Sequence, residues 1–175
     1  PITGAGGIRT LADAKRLFEA GADRVALCTA AVTAPSVIDA IANRYGSQAL
    51  GVEIQCKRRG SGWEAYTDGG RERSHLDALA LARAAVSRGA GEIMLTSVDM
   101  EGTRRGFDCE LIGAIARELP VPVIACGGCG SLDHILEAQA AGADGVALAS
   151  VLHYGILSQK EIENGLVESN VQAAA

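Results

Sequence analysis

The sequence predicts an α/β chain carrying six of the eight βα units of a (βα)₈ TIM barrel. Three observations predict this fold. Short aliphatic runs alternate with longer amphipathic stretches, the pattern of βαβ units and a parallel sheet. Hydrophobic residues make up 48% of the 175 residues and aromatic ones only 3%, so the core must be built from aliphatic layers. The chain also repeats itself. Gly6-Gly7 matches Gly127-Gly128, Gly21-Ala22-Asp23 matches Gly142-Ala143-Asp144, and Val25, Leu27 and Thr29 match Val146, Leu148 and Ser150, every pair 121 residues apart. A βα unit spans about 30 residues in a barrel of about 250, so this offset is four units, half a barrel.

In chain order, strands are predicted at 1–3, 24–27, 49–55, 92–96, 121–125 and 145–148. The segments between them carry apolar residues at helical spacing, as in Leu11, Ala14, Leu17 and Phe18, or Leu111, Ile112, Ile115 and Ala116. Thr10 with Asp13 three residues on marks one helix start, and Ser131 marks another. A polar, glycine-rich stretch at 57–70 reads as a β-hairpin inserted after the third strand. Residues 1–168 form the incomplete barrel, units 3 to 8, and 169–175 are expected to fray. The chain opens at Pro1 and reaches a glycine-rich loop within a few residues, so two further units are expected to precede it.

The bulk composition narrows the function classes. With 16 basic and 21 acidic residues the net charge is −5, which disfavours a nucleic-acid partner. No apolar run is long enough to cross a bilayer, so no membrane role is expected. Cys28, Cys56, Cys109, Cys126 and Cys129 are expected to be reduced thiols in a cytoplasmic protein. The Cys126–Cys129 CxxC spacing has no second pair or clustered histidines beside it, so neither a metal nor another cofactor is expected.

The repeated loops carry the chemistry. Barrel active sites lie at the carboxyl ends of the strands, where both Gly-Gly pairs fall. Glycine lets backbone N–H groups approach an anion closely, and a hydroxyl from Thr29 or Ser150 ends the next strand in each half. Two such cradles half a barrel apart predict a small-molecule ligand with a phosphate at each end. The plain structural alternative is that the glycines only permit tight turns. Lys57-Arg58-Arg59 is either a solvated run or an anion-holding one, and His153 is a candidate for the pocket rim.

At these residues a family becomes recognisable. Gly6-Gly7-Ile8-Arg9-Thr10, Gly21-Ala22-Asp23-Arg24-Val25, Gly46-Ser47-Gln48, Gly89-Ala90-Gly91-Glu92-Ile93, Leu95-Thr96-Ser97-Val98-Asp99 with Gly102-Thr103, and Val123-Ile124-Ala125-Cys126-Gly127-Gly128 resemble the cyclase subunit of imidazole glycerol phosphate synthase. The resemblance implies a TIM barrel of the ribulose-phosphate-binding type. It implies ammonia-dependent ring closure of a two-phosphate aminoimidazole nucleotide in histidine biosynthesis, with a glutaminase subunit as partner. A sister family, the isomerase one step earlier, shares the twofold barrel, but the 96–99 and 46–48 runs look closer to the cyclase.

Carried over by position, the resemblance assigns Gly6, Gly7, Cys28 and Thr29 to one phosphate site, with Cys28 standing where the family usually has Asn. Gly102, Gly127, Gly128, Ala149 and Ser150 would form the other, and Asp99 matches an active-site carboxylate. Arg24 and Glu92 match a charged ring through which ammonia passes, while Asp23 and Gln48 match positions facing the glutaminase. The family works with two aspartates. One lies before the start of this chain, and the other is Gln55 here, which cannot ionise. Glu53 points to the same side of the strand and is a possible substitute; pairing with an interior cation is its structural alternative. These departures leave a non-cyclising paralogue and a phosphate-binding or glutaminase-binding scaffold as alternative readings. They also predict that this chain alone does not cyclise.

Overall fold

The computed structural model describes residues 1–173, with side chains placed through Ser169. Six parallel strands form its centre: β1 (Thr3–Ala5), β2 (Arg24–Leu27), β3 (Leu50–Arg59), β6 (Glu92–Ser97), β7 (Val123–Cys126) and β8 (Gly145–Ala147), paired in that order. The helices that follow them are α1 (Leu11–Glu19), α2 (Thr29–Thr33) with α3 (Ser36–Tyr45), α4 (Ala78–Ser87), α5 (Cys109–Ala116), α6 (Leu132–Ala141), and α7 (Ser150–His153) with α8 (Gln159–Ala173). This is the parallel strand-and-helix arrangement of a (βα)₈ barrel. Among the described residues β1 and β8 do not pair, so the sheet curls as an open half-barrel.

Strand alternation explains which side chains go where. Val25, Leu27, Val52, Ile54, Ile93 and Leu95 are fully buried in a cluster with Ile38, Ile41, Leu111 and Ile115 of the helices. Each contributes about 1.5–3 kcal/mol of burial. A second cluster, with Ile112, Ala125, Ile135, Ala138, Val151 and Ile162, seats the last helices. The opposite strand face turns Ala26, Glu53 and Gln55 toward the concave side of the sheet. Helix starts follow the sequence signals: Thr10 and Asp13 form a reciprocal capping box, and Ser131 accepts from the His134 N–H.

Several boundaries differ from the sequence reading. The first strand is Thr3–Ala5 rather than 1–3, because Ile2 is tied to the next turn through Asp23. The fifth parallel strand starts at Val123, not 121, since Pro122 has no N–H to give the ladder. The insertion is larger than a hairpin over 57–70. β3 runs on into it as far as Arg59, β4 (Gly62–Thr67) returns antiparallel, and β5 (Glu72–Asp77) adds a third strand. Glu64 on β4, only 9% exposed, fixes that third strand by accepting from the Arg73 guanidinium at 2.8 Å and the His75 N–H at 3.1 Å. α8 runs to Ala173, and the last two residues of the segment expected to fray lie outside the described residues.

Candidate functional site

The two repeated glycine loops fold alike. Gly6 and Gly7 have φ of 86° and 70°, and Gly127 and Gly128 have φ of 92° and 100°, a region where a side chain is strained. The residues before the two hydroxyls also match: Cys28 has φ −123°, ψ −90°, and Ala149 has φ −128°, ψ −71°. Thr29 then opens α2 and Ser150 opens α7. The repeat extends to the opposite rim, where Asp23 Oδ2 accepts from the Ile2 N–H at 2.7 Å and Asp144 Oδ2 accepts from the Val123 N–H at 2.9 Å.

Each glycine loop lines a cavity. The first, of about 650 Å³, brings together Gly6, Gly7, Cys28 and Thr29 with Arg9, Glu53, Gln55 and the hairpin-turn residues Asp68 and Gly69. The second, of about 70 Å³, brings together Gly102, Gly127, Gly128, Ala149 and Ser150 with Glu101, Arg104, Cys126 and Cys129. Residues assigned to each phosphate site from the sequence therefore converge, in the second case from three separate segments, around Gly102, Gly127-Gly128 and Ala149-Ser150.

Inside the first cavity the polar groups are coupled. Glu53 Oε1 accepts from the Thr96 hydroxyl at 2.8 Å and from the Gln55 amide at 3.3 Å. Gln55 Oε1 is buried without a partner. Burial, reinforced by the Glu53 carboxylate, pushes the Cys28 thiol up to about 12, so it stays neutral at physiological pH. Burial also raises Cys126 and Cys129, so the CxxC pair is a pair of neutral thiols on the second cavity wall. Among the described residues no group of His, Cys, Asp and Glu could hold a metal ion.

Other predicted residues lie elsewhere. Asp99, exposed at the carboxyl end of β6, lines neither cavity; its Oδ2 accepts from the Arg58 N–H at 2.7 Å and ties β6 to the insertion. Arg58 covers the Trp63 ring at 4.8 Å and pairs with Glu110 of α5, while Lys57 lies over Tyr66 at 4.6 Å, so these two cations are engaged by the insertion and by α5. His153 packs edge-on against Tyr154 and lines neither cavity. On the amino rim, Arg24 pairs with Glu92 at 2.9 Å, and Gln48 is exposed with its amide donating to the Tyr45 carbonyl. Sequence reasoning missed Arg9 and Arg104 as cavity residues, although Arg9 directly follows the Gly6-Gly7-Ile8 run. It also missed Asp68, whose N–H donates to the Thr29 hydroxyl at 3.3 Å and which no local pattern places there.

Comparison with known proteins decides the family. A family model described as "Histidine biosynthesis protein" matches residues 1–158. The imidazole glycerol phosphate synthase subunit HisF of Nostoc sp. is 46% identical over 176 residues, covering 98% of this chain and 68% of the relative. The same subunit of Pyrobaculum aerophilum is 45% identical over 98% of this chain and 68% of its own length. That of Kocuria rhizophila is 50% identical over 89% of this chain and 62% of its own.

The chain belongs to the HisF family.

It spans about two thirds of the length of these HisF relatives. The name of these relatives makes HisF one subunit of a synthase, which implies a partner subunit. Among the described residues no helix is long and apolar enough to cross a membrane.

Proposed function

We propose that this chain binds a two-phosphate aminoimidazole nucleotide between its two cavities and serves ammonia-dependent ring closure in histidine biosynthesis. The observation that carries this reading is the pair of glycine loops. They share one backbone form, each is joined by a strand-end hydroxyl, and they line two separate cavities of one concave face. A ligand with a single anion would use one loop and leave the other without a role.

In this reading the Gly7 and Gly128 N–H groups and the Thr29 and Ser150 hydroxyls hold the two phosphates. That places the nucleotide's reacting centre over Gln55, Glu53 and Thr96. Ring closure requires proton movement, and Gln55 can only orient its ligand. Glu53, held by Gln55 and Thr96, is the ionisable neighbour. A glutaminase subunit would supply ammonia from the amino rim, where Arg24, Glu92, Gln48 and Asp23 lie.

The test compares this chain with its Gln55→Asp variant, using ammonium chloride and the aminoimidazole nucleotide. The nucleotide should bind both proteins far more tightly than an analogue lacking one phosphate. Ring closure should stay at the detection limit in both, because the family's other aspartate is not in this chain, and Gln55→Asp should raise it about 100-fold or more only in a chain extended to carry that aspartate, the usual size of a general acid–base contribution. Equal affinity for the two-phosphate and one-phosphate ligands would refute the reading. Binding without turnover even in the extended Gln55→Asp chain would favour a phosphate-binding scaffold.

A further inference from the structure

The two cavities share a backbone but not a source of positive charge. Of the charged side chains lining the first, Glu53 and Asp68 are carboxylates and Arg9 is the cation. Of those lining the second, Glu101 is a carboxylate and Arg104 is the cation. Without its arginine, each cavity presents only negative side chains to a dianion, and backbone N–H groups would have to hold the phosphate against them.

The arginines are not repeats of each other. Arg9 stands two residues beyond Gly7, on the glycine loop itself. The matching position 121 residues later is Gly130, which has no side chain. The space that a Gly130 side chain would take is filled by Arg104, from the loop between β6 and α5. A Cβ at Gly130 would lie 2.3 Å from the Arg104 carbonyl oxygen and 2.9 Å from its Cβ. Arg104 is held in the left-handed region at φ 59°, and its guanidinium rests 4.6 Å from the centre of the Tyr154 ring. The same loop closes on the glycine pair, with the Gly106 N–H donating to the Gly128 carbonyl at 2.8 Å. Gly6 and Gly7, by contrast, have nothing within 4 Å of where a Cβ would stand.

We propose that the two halves draw their phosphate-binding cation from different loops: Arg9 from the glycine loop in the first cavity, and Arg104, admitted by Gly130, in the second. This rests on the phosphate reading above. It adds that the two ends of the ligand are recognised independently. The first phosphate is held by an arginine on its own glycine loop. The second is held beneath a neighbouring loop that Tyr154 braces.

The test titrates the ¹⁵N-labelled chain with inorganic phosphate at constant ionic strength. The amides of Gly7 and Thr29 report the first cavity, and those of Gly128 and Ser150 report the second. Arg9→Gln should weaken the first site about tenfold and leave the second unchanged, and Arg104→Gln should do the reverse. Both side chains are exposed, so neither variant threatens the core. Arg104→Lys should keep most of the affinity, which a merely structural role for that side chain would not require. Loss of affinity at both sites in either variant would mean a bulk-charge effect and would overturn the assignment, as would an unchanged second site in Arg104→Gln. If neither loop of the parent chain responds to phosphate, the phosphate reading fails as well.

Discussion

Two glycines with the same φ sign can have different tolerances, because one faces open space and the other faces backbone. Alanine at Gly7 adds only the left-handed strain, about 1 kcal/mol. Alanine at Gly128 puts a Cβ 2.0 Å from the Gly106 carbonyl oxygen, and the loop must move at a cost of about 3 kcal/mol or more. Urea unfolding of the two variants should separate them by at least this difference, and equal midpoints would contradict the close packing of the second loop. Asp23 and Asp144 offer a second matched pair. Each carboxylate anchors the backbone at the start of the preceding strand, so each Asp→Ala change should cost about 1 kcal/mol. For Asp23 this structural bond accompanies the partner-facing role proposed for it. A stability cost at Asp144 alone would show that the anchoring is not shared by both halves.

At the scale of elements, the three-stranded insertion is organised around Glu64. Arg73, Arg59 and His75 surround its carboxylate, and the Arg73 guanidinium foremost holds it below the ordinary value of 4.5. A depressed carboxylate stabilises the fold above its unfolded-state value and loses that contribution as pH falls through the folded one. Stability should therefore drop as pH falls below about 4.5, and Glu64→Gln should flatten that slope while lowering stability at neutral pH. An unchanged acid-side slope in the variant would show that Glu64 does not govern it. The insertion also bears on the site, because its turn brings Asp68 and Gly69 to the first cavity.

For the whole molecule, the decisive feature is the open sheet. β1 and β8 are each three residues long and each leaves one edge unpaired among the described residues. Unpaired edges recruit other strands. The isolated chain should therefore self-associate, and sedimentation should give a mass above 17.9 kDa that rises with concentration. A strict monomer at all concentrations would mean that the short edges are sufficiently protected by their own twist and length.

The sequence by itself determined the parallel α/β architecture, the half-barrel repeat and the positions of both glycine loops. These are written in local periodicity and in exact spacing, which survive without coordinates. Helix caps at Thr10 and Ser131 were legible for the same reason, since a cap is settled within four residues. The tertiary structure alone decided how charge reaches the two cavities. Arg104 and Asp68 come from loops whose positions depend on packing, on the bare Gly130 in one case and on the turn after β4 in the other. It also decided that Asp99 ties β6 to the insertion, and that Lys57 and Arg58 cover aromatic rings, with Arg58 also paired to Glu110, and line neither cavity. Side-chain partners between distant segments are set by three-dimensional proximity, and no periodicity in the chain encodes them.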